Sequence, residues 1–348
     1  MKHIYLHKAS ACYKTVCLLF SCLFTVTSLQ AQDVHFSQYN GSIINVNPAF
    51  TGFFDGDYRV GAIYRSQWQS VPVPYKTFSF AADGRFKGKK MKSDCFGLGV
   101  LFNNDKAGDT YFGTNQFYFS GSYIHKLNSD STLLWSNGVT VGISNVGFNY
   151  NKMTFDNQYD GTTYNPTYAT GENFAKNSTT YADINLGTAL QYAIKQRAFV
   201  QYGLSYNHLT SPKLTFQNNN SIKIDSKLTN YLAFQYPIAS QVDVVAEMMY
   251  SQQGKYHEVV PGTMFRFYLD PKTNQAASIG VYYRTKDAVI GRIGYQFKTL
   301  TAGFSYDVNT SKFLAATNRR GAFEIYVNYI FKKIVPFVPK KRVCPIYM

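Results

Sequence analysis

The segment Gly321-Ala322-Phe323-Glu324-Ile325-Tyr326-Val327-Asn328-Tyr329-Ile330-Phe331 alternates along its whole length. Phe323, Ile325, Val327, Tyr329 and Phe331 fall on one face; Ala322, Glu324, Tyr326, Asn328 and Ile330 fall on the other. Successive side chains of an extended chain point to opposite sides, so this is a strand with one oily face and one mixed face. The pattern repeats upstream. Leu300, Ala302, Phe304, Tyr306 and Val308 oppose Thr301, Gly303, Ser305, Asp307 and Asn309, and Val289, Gly291, Ile293, Tyr295 and Phe297 oppose Ile290, Arg292, Gly294 and Gln296. Continued toward the N-terminus, the pattern predicts fourteen strands, near 58–68, 75–86, 95–104, 114–127, 132–148, 180–194, 197–209, 226–237, 241–251, 257–269, 276–285, 287–297, 299–308 and 321–332. No stretch after residue 32 reads as a convincing amphipathic helix.

Composition narrows the class. Of 348 residues, 17% are aromatic, 45% apolar and only 16% charged. A disordered chain is poor in aromatics, so disorder is excluded. No apolar run reaches the roughly 20 residues of a membrane-spanning helix. Mean hydropathy is slightly negative, at −0.23. That suits a soluble protein or a transmembrane barrel, in which only alternate residues meet lipid.

Loop lengths separate these two. The predicted turns after even-numbered strands are mostly short: 128–131, 195–196, 239–240 and 298. The long connections, 149–179, 210–225 and 309–320, follow odd-numbered strands. A barrel with both termini in the periplasm has long loops outside and tight turns inside, whereas a sandwich or propeller has no reason to sort loops by parity. The expected fold is therefore all-β: an antiparallel up-and-down transmembrane barrel of about 14 strands in the bacterial outer membrane. Lipid faces one side of each strand. The charges Arg65, Arg266, Arg284, Arg292, Asp183, Asp243, Glu247 and Glu324 belong to the lumen, because a charge on the lipid face costs about 2–4 kcal/mol at mid-membrane. Trp68 and Trp135 fit interfacial girdles.

The ends read differently from the middle. Lys2, Lys8 and Lys14 precede an apolar run from Val16 to Val26, and Ala31 offers a small residue at a cut site. Residues 1–31 thus have the layout of a secretory signal peptide. Removing them takes away three cysteines and lowers the formal charge from +15 to +12, leaving Cys95 and Cys344, which an oxidising compartment would allow to pair. Residues 32–57 alternate weakly and carry turn signals at Asn47-Pro48 and Thr51-Gly52; they are too apolar for a free tail and are expected in or under the periplasmic mouth. The barrel then spans 58–332. Residues 333–348 form a basic tail whose three prolines deny it helix or interior strand. Lys332, Lys333, Lys340, Lys341 and Arg342, with Lys87, Lys89 and Lys90 on the same predicted side, would make a basic collar for an acidic partner or headgroups.

Familiar chemistry is missing. His35, His125, His208 and His257 show no metal spacing, and there is no nucleophile elbow, phosphate loop or dinucleotide fingerprint. No catalytic, cofactor-binding or metal residue is assigned. Asn103 to Asp109 loosely resembles a calcium-ligand cluster but is better explained as an outer turn. Nucleic-acid binding is a poor reading of the charge, since no basic helix is present.

Several segments resemble a known family. They are Asp33-Val34-His35-Phe36-Ser37-Gln38-Tyr39 with Asn47-Pro48-Ala49-Phe50-Thr51-Gly52; Tyr64-Arg65-Ser66-Gln67-Trp68; Phe96 to Gly108; Ser305 to Ser311 with the closing strand; and Cys344-Pro345. Together they resemble the PorP/SprF family. That resemblance implies a non-enzymatic outer-membrane component of the type IX secretion system, linked in some relatives to gliding motility. Its expected partners are a secreted cell-surface protein with a C-terminal sorting domain, other secretion components of the periplasm or outer membrane, and outer-membrane lipid. The alternatives are a passive pore for small solutes and, more weakly, a barrel hydrolase.

Overall fold

The computed structural model describes residues 33–68, 74–88, 94–108, 110–172, 174–216, 222–270, 273–311 and 319–332. Residues 1–31 and the tail 333–348, with the leader and half of the basic collar assigned to them, lie outside the described residues. Fourteen strands follow one another: β1 (Tyr58–Gln67), β2 (Tyr75–Phe86), β3 (Cys95–Ala107), β4 (Phe112–Lys126), β5 (Leu133–Gly147), β6 (Ser178–Lys195), β7 (Ala198–Asn207), β8 (Lys227–Ala239), β9 (Val242–Gln253), β10 (Tyr256–Asp270), β11 (Gln275–Arg284), β12 (Ala288–Phe297), β13 (Leu300–Asn309) and β14 (Arg320–Phe331). Each pairs antiparallel with the next, and β14 returns to β1, closing the barrel. The seam runs in unbroken register from Tyr58 opposite Phe331 to Gln67 opposite Ala322. Closure leaves no edge, which lipid requires because it offers no partner to a free N–H or C=O.

Sequence and structure differ by at most three residues at any strand end. The largest difference is at β3, which runs on through Asn103-Asn104-Asp105-Lys106 to Ala107. These polar residues are strand rather than outer turn: Asn103 pairs in register with Ser79 on one side and Gln116 on the other. The alternation fades there because the strand has climbed beyond the oily band, while its ladder continues.

Side-chain burial divides the two faces. Leu98, Phe119, Ile143, Ile279, Val281 and Ile293 are all more than half exposed on the outer face. An apolar belt of that extent belongs against lipid. No helix among the described residues is long and apolar enough to cross a membrane. The connections 148–177, 208–226 and 310–319 all leave odd-numbered strands and gather at one mouth. At the other mouth, 196–197, 240–241 and 298–299 are two-residue turns, where Arg197 (φ 65°) and Lys298 (φ 56°) adopt the left-handed conformation that tight hairpins need.

Inside, Val34 to Phe53 folds as a chain of short turns: a 3-10 turn at Tyr39–Ser42, one helical turn α1 (Ile43–Val46) and a second 3-10 turn at Pro48–Phe50. Asn47 caps the last of these, its side chain accepting from Ala49 N at 2.8 Å, and Pro48 stands at the first position, where a missing N–H costs nothing. Gly52 supplies the positive φ of 66° that turns the chain toward β1.

Candidate functional site

The site is the lumen itself. Its wall and the inner segment Val34–Phe53 bury each other, and three kinds of contact hold them.

The leading part of the segment meets charge. The two carboxylate oxygens of Glu324 (β14) accept hydrogen bonds from the backbone N–H groups of Ser37 and Gln38, at 2.6 and 2.7 Å. Arg65 (β1) donates to the same carboxylate and to Ser37 Oγ. Ser37 Oγ donates in turn to Asp307 (β13) at 2.7 Å and accepts from Arg284 (β11). Asp307 also takes Arg284 Nη1 at 3.2 Å and Arg65 Nη2 at 3.3 Å. Arg65, Asp307, Arg284 and Glu324 are all at least 97% buried. Charges taken out of water this completely persist only when paired and hydrogen-bonded, and here two arginines meet two carboxylates around one serine.

Next along the segment is Tyr39, which enters an aromatic nest. Its ring lies edge-on to Tyr231 (5.8 Å) and Tyr282 (6.2 Å). The guanidinium of Arg292 sits 3.5 Å from the Tyr282 ring centre and 4.7 Å from that of Tyr39. Glu247 accepts from the hydroxyls of Tyr282 (2.6 Å) and Tyr231 (3.1 Å) and lies 3.5 Å from Arg292. A buried carboxylate thus meets two phenols and one cation, and the cation meets a carboxylate and two ring faces.

The trailing part meets mostly neutral donors. Asn45 and Asn103 exchange amide hydrogen bonds at 2.9 and 3.1 Å. Ser205 donates to Val46 O, Ser136 to Ala49 O and Ser122 to Thr51 O, at 2.7, 2.7 and 2.5 Å. Glycines of the wall let backbone touch backbone: a Cβ at Gly97 would stand 2.1 Å from Thr51 O, and one at Gly138 2.4 Å from the carbonyl carbon of Pro48. The segment ends on Asp83 (β2), which accepts from Gly52 N at 2.7 Å and pairs with Arg59 at 2.8 Å.

The segment also has a direction. Val34 and His35 share a cavity wall with Lys227, and two residues on, Ser37 Oγ accepts from Arg65 and Arg284. Arg65, Arg284 and Lys227 lie at or near the ends of β1, β11 and β8 that border the loop-bearing mouth. Asp83, Gly97 and Ser122 lie near the opposite ends of β2, β3 and β4. The segment therefore runs through the barrel, beyond the one mouth where the sequence alone places it. Between it and β8–β9 remains a cavity of about 30 Å³, room for about one water.

A match to known sequences covers most of the chain: the type IX secretion system membrane protein family PorP/SprF matches residues 28–329. The chain belongs to the PorP/SprF family. No curated protein matches it significantly. Solved structures of similar fold include the toluene transporter TbuX of Ralstonia pickettii, at 13% identity, covering 84% of this chain and 94% of that one, with a TM-score of 0.49. A FadL homologue of Pseudomonas aeruginosa covers the same shares at 10% identity, TM-score 0.49. The toluene transporter TodX of P. putida covers 83% and 93% at 10% identity, TM-score 0.46. The family and the closed barrel make this a membrane component of type IX secretion, an outer-membrane β-barrel.

Within this PorP/SprF barrel, the lumen charges read from sequence fall into place unevenly. Arg65, Arg284 and Glu324 meet in one cluster, and Arg292 and Glu247 in another. Asp243 lies apart, taking Arg197 (2.8 Å), Gln235 (2.8 Å) and Tyr268 (3.0 Å). Arg266 is half-buried, opposite Asp243 in register. Sequence reasoning missed Asp307, Ser37, Asp83 and Arg59 as site residues. Asp307 was findable, since it shares the inward face of β13 with Ser305; Ser37 was not, because no strand period reaches it. Of the collar, Lys87 is exposed and Lys332 reaches Asp55 at 2.6 Å. Lys89, Lys90, Lys333, Lys340, Lys341 and Arg342 lie outside the described residues. Cys95 is buried, its sulfur accepting from Arg85 Nε at 3.2 Å, and Cys344 lies outside the described residues.

Proposed function

We propose that this barrel serves type IX secretion by holding protein partners, without catalysis: it supports export or surface attachment of a cognate cell-surface protein that carries a C-terminal sorting domain, of the gliding-adhesin kind. The lumen carries the choice between this reading and a passive pore. A conduit for solutes needs open cross-section, and Val34–Phe53 occupies it with buried, hydrogen-bonded backbone. In this reading the loops 148–177 and 310–319 face the exported protein, and the short turns and the C-terminal tail face the periplasm. The basic tail and Lys87, Lys89 and Lys90 meet acidic secretion components there, and a Cys95–Cys344 disulfide pins the tail to the rim.

The test is affinity isolation from gently solubilised membranes, with mass spectrometry of what stays attached. Secretion components and one large surface protein are expected. Deleting 333–348 should leave an inserted barrel that loses these partners; unchanged co-purification would remove the tail from the proposal. In planar bilayers the full chain should conduct little. Steady conductance that responds to Arg266, Arg284, Arg292, Asp243 and Glu247 would favour the pore. Mass mapping under non-reducing conditions decides the disulfide, which two free thiols would refute.

A further inference from the structure

The barrel has one joint that no hairpin closes. Every other pair of neighbouring strands is consecutive in sequence, whereas β1 meets β14, and the facing residues Arg65 and Glu324 stand 259 positions apart. Bringing such distant segments together carries the largest loop-closure cost in the barrel, and no turn holds the two strands once they part.

The inner segment lies along this joint. Three successive inward-facing pairs of the seam are in register: Gly61 with Asn328, Ile63 with Tyr326, and Arg65 with Glu324. The stretch Phe36–Gly41 meets all three. Phe36 forms one buried cluster with Ile63 and Tyr326. The Ser37 hydroxyl accepts from Arg65, while the Ser37 N–H donates to Glu324. Gln38 gives Glu324 a second N–H, and its Nε2 donates to the Glu324 carbonyl at 3.2 Å. Gly41 O accepts from Asn328 Nδ2 at 3.4 Å, and a Cβ on Gly41 would stand 2.8 Å from Tyr326 Cγ. Phe36 and Ser37 therefore each touch both strands at once. Further along, at Ser122, Ser136 and Ser205, the segment braces strands that their own hairpins already join.

We infer that Phe36–Gly41 is a lock across the β1–β14 seam: seated, it keeps this joint as firm as its neighbours, and without it this joint is the first to part. The wall is then the moving element, opening along one line while the hairpins on either side stay paired. Arg65 and Glu324 still face each other when the lock is gone, but without the serine and the two amides that hold them.

Hydrogen exchange of the full-length barrel in detergent micelles, read by mass spectrometry, follows each strand separately. The variant is Phe36→Ala with Ser37→Ala, which leaves the seam's own ion pair in place. Amides of β1 and β14 should exchange at least about tenfold faster than in the parent, and those of β7 and β8 within about twofold of it. Ser136→Ala with Ser205→Ala loosens the trailing contacts instead and should leave β1 and β14 unchanged. Equal acceleration in all four strands, no acceleration in β1 and β14, or the same response to the serine variant overturns the inference. If the Phe36→Ala, Ser37→Ala barrel does not fold, covalent rescue decides. In a chain whose five native cysteines are replaced by serine, Ala62→Cys with Val327→Cys links the seam on its outer face, and Ile279→Cys with Ile293→Cys links β11 to β12; both pairs are in register. Each link is first formed with Phe36 and Ser37 intact. Refolded under oxidant without them, the first pair should restore the compact species on an unheated gel and the second should not. Rescue by both pairs, or by neither, refutes the lock.

Discussion

The two halves of the inner segment are bound by opposite strategies. Around Phe36–Gln38 the wall supplies Arg65, Arg284, Asp307 and Glu324, four buried charges that converge on one serine and two backbone amides. Around Asn47–Gly52 it supplies mostly serine hydroxyls and glycines. Charge gives the first half direction: the Ser37 hydroxyl and the Ser37 and Gln38 amides lie where they meet all four groups. The trailing half relies on closeness, with many modest bonds and backbone against backbone, and meets charge only at its end, in Asp83 and Arg59. The two should therefore fail differently, the first abruptly and the second in small steps.

The largest effect is expected from Glu324→Ala. It strips the acceptor from Ser37 N and Gln38 N and takes from buried Arg65 its shorter carboxylate contact, leaving Asp307 at 3.3 Å. Breaking one partner of a buried pair costs about 3–5 kcal/mol. Urea unfolding of the refolded barrel should show that loss. The double variant Arg65→Met with Glu324→Leu should recover part of it, because a buried pair replaced by apolar groups is often neutral, while the two orphaned amides remain unmatched. Full recovery would mean that the amides do not depend on Glu324.

Gly138→Ala should come next. Its Cβ would press on Pro48 and Ala49 backbone at 2.4 and 2.5 Å, where nothing flexible can yield. Overpacking of this kind costs about 1–3 kcal/mol. Gly121→Ala is the matched control: its nearest neighbour would be Leu98 Cδ2 at 3.8 Å, and its stability should stay within about 0.5 kcal/mol of the parent. If both variants behave alike, close backbone approach is not what seats the trailing half.

How much of this the sequence reveals follows from periodicity. Strand identity, closure and the inward aim of Arg65, Arg292 and Glu324 all follow from a period of two. The route of Val34–Phe53 does not, because its short turns repeat no period, and its partners lie up to 287 positions away. Asn47-Pro48 and Gly52 marked where it bends but could not say that it bends inside the cylinder. Three of the four charges were legible as lumen residues and all four illegible as a clasp: their common partner is a serine, the least conspicuous residue of the site.

Smaller steps are expected from the hydroxyls. Ser136→Ala removes the donor to Ala49 O, and Ser205→Ala the donor to Val46 O. A net hydrogen bond contributes about 1 kcal/mol, and each loss should be near that value by the same unfolding measurement. Either variant matching Glu324→Ala in effect would erase the distinction between the halves.

The smallest effect comes from an ion pair that holds no part of the segment. Asp94, just before β3, accepts from Tyr123 Oη at 2.7 Å and Lys126 N at 3.1 Å and pairs with His125 Nδ1 at 2.7 Å. These contacts, the Tyr123 hydrogen bond first, hold its carboxyl at about 2, below the ordinary 3.8. A carboxyl depressed in the folded state adds stability above its unfolded value and loses it as pH falls through the folded one, so the window lies between about pH 4 and 2. The group is open to solvent, and exposed pairs contribute little. NMR titration of the Asp94 carboxyl should show a midpoint near 2 that rises in Tyr123→Phe, with the barrel's unfolding midpoint at neutral pH nearly unchanged. A marked loss of neutral-pH stability in Tyr123→Phe would show that charge at the rim matters as much as charge in the lumen, and that burial is not what makes the Glu324 clasp strong.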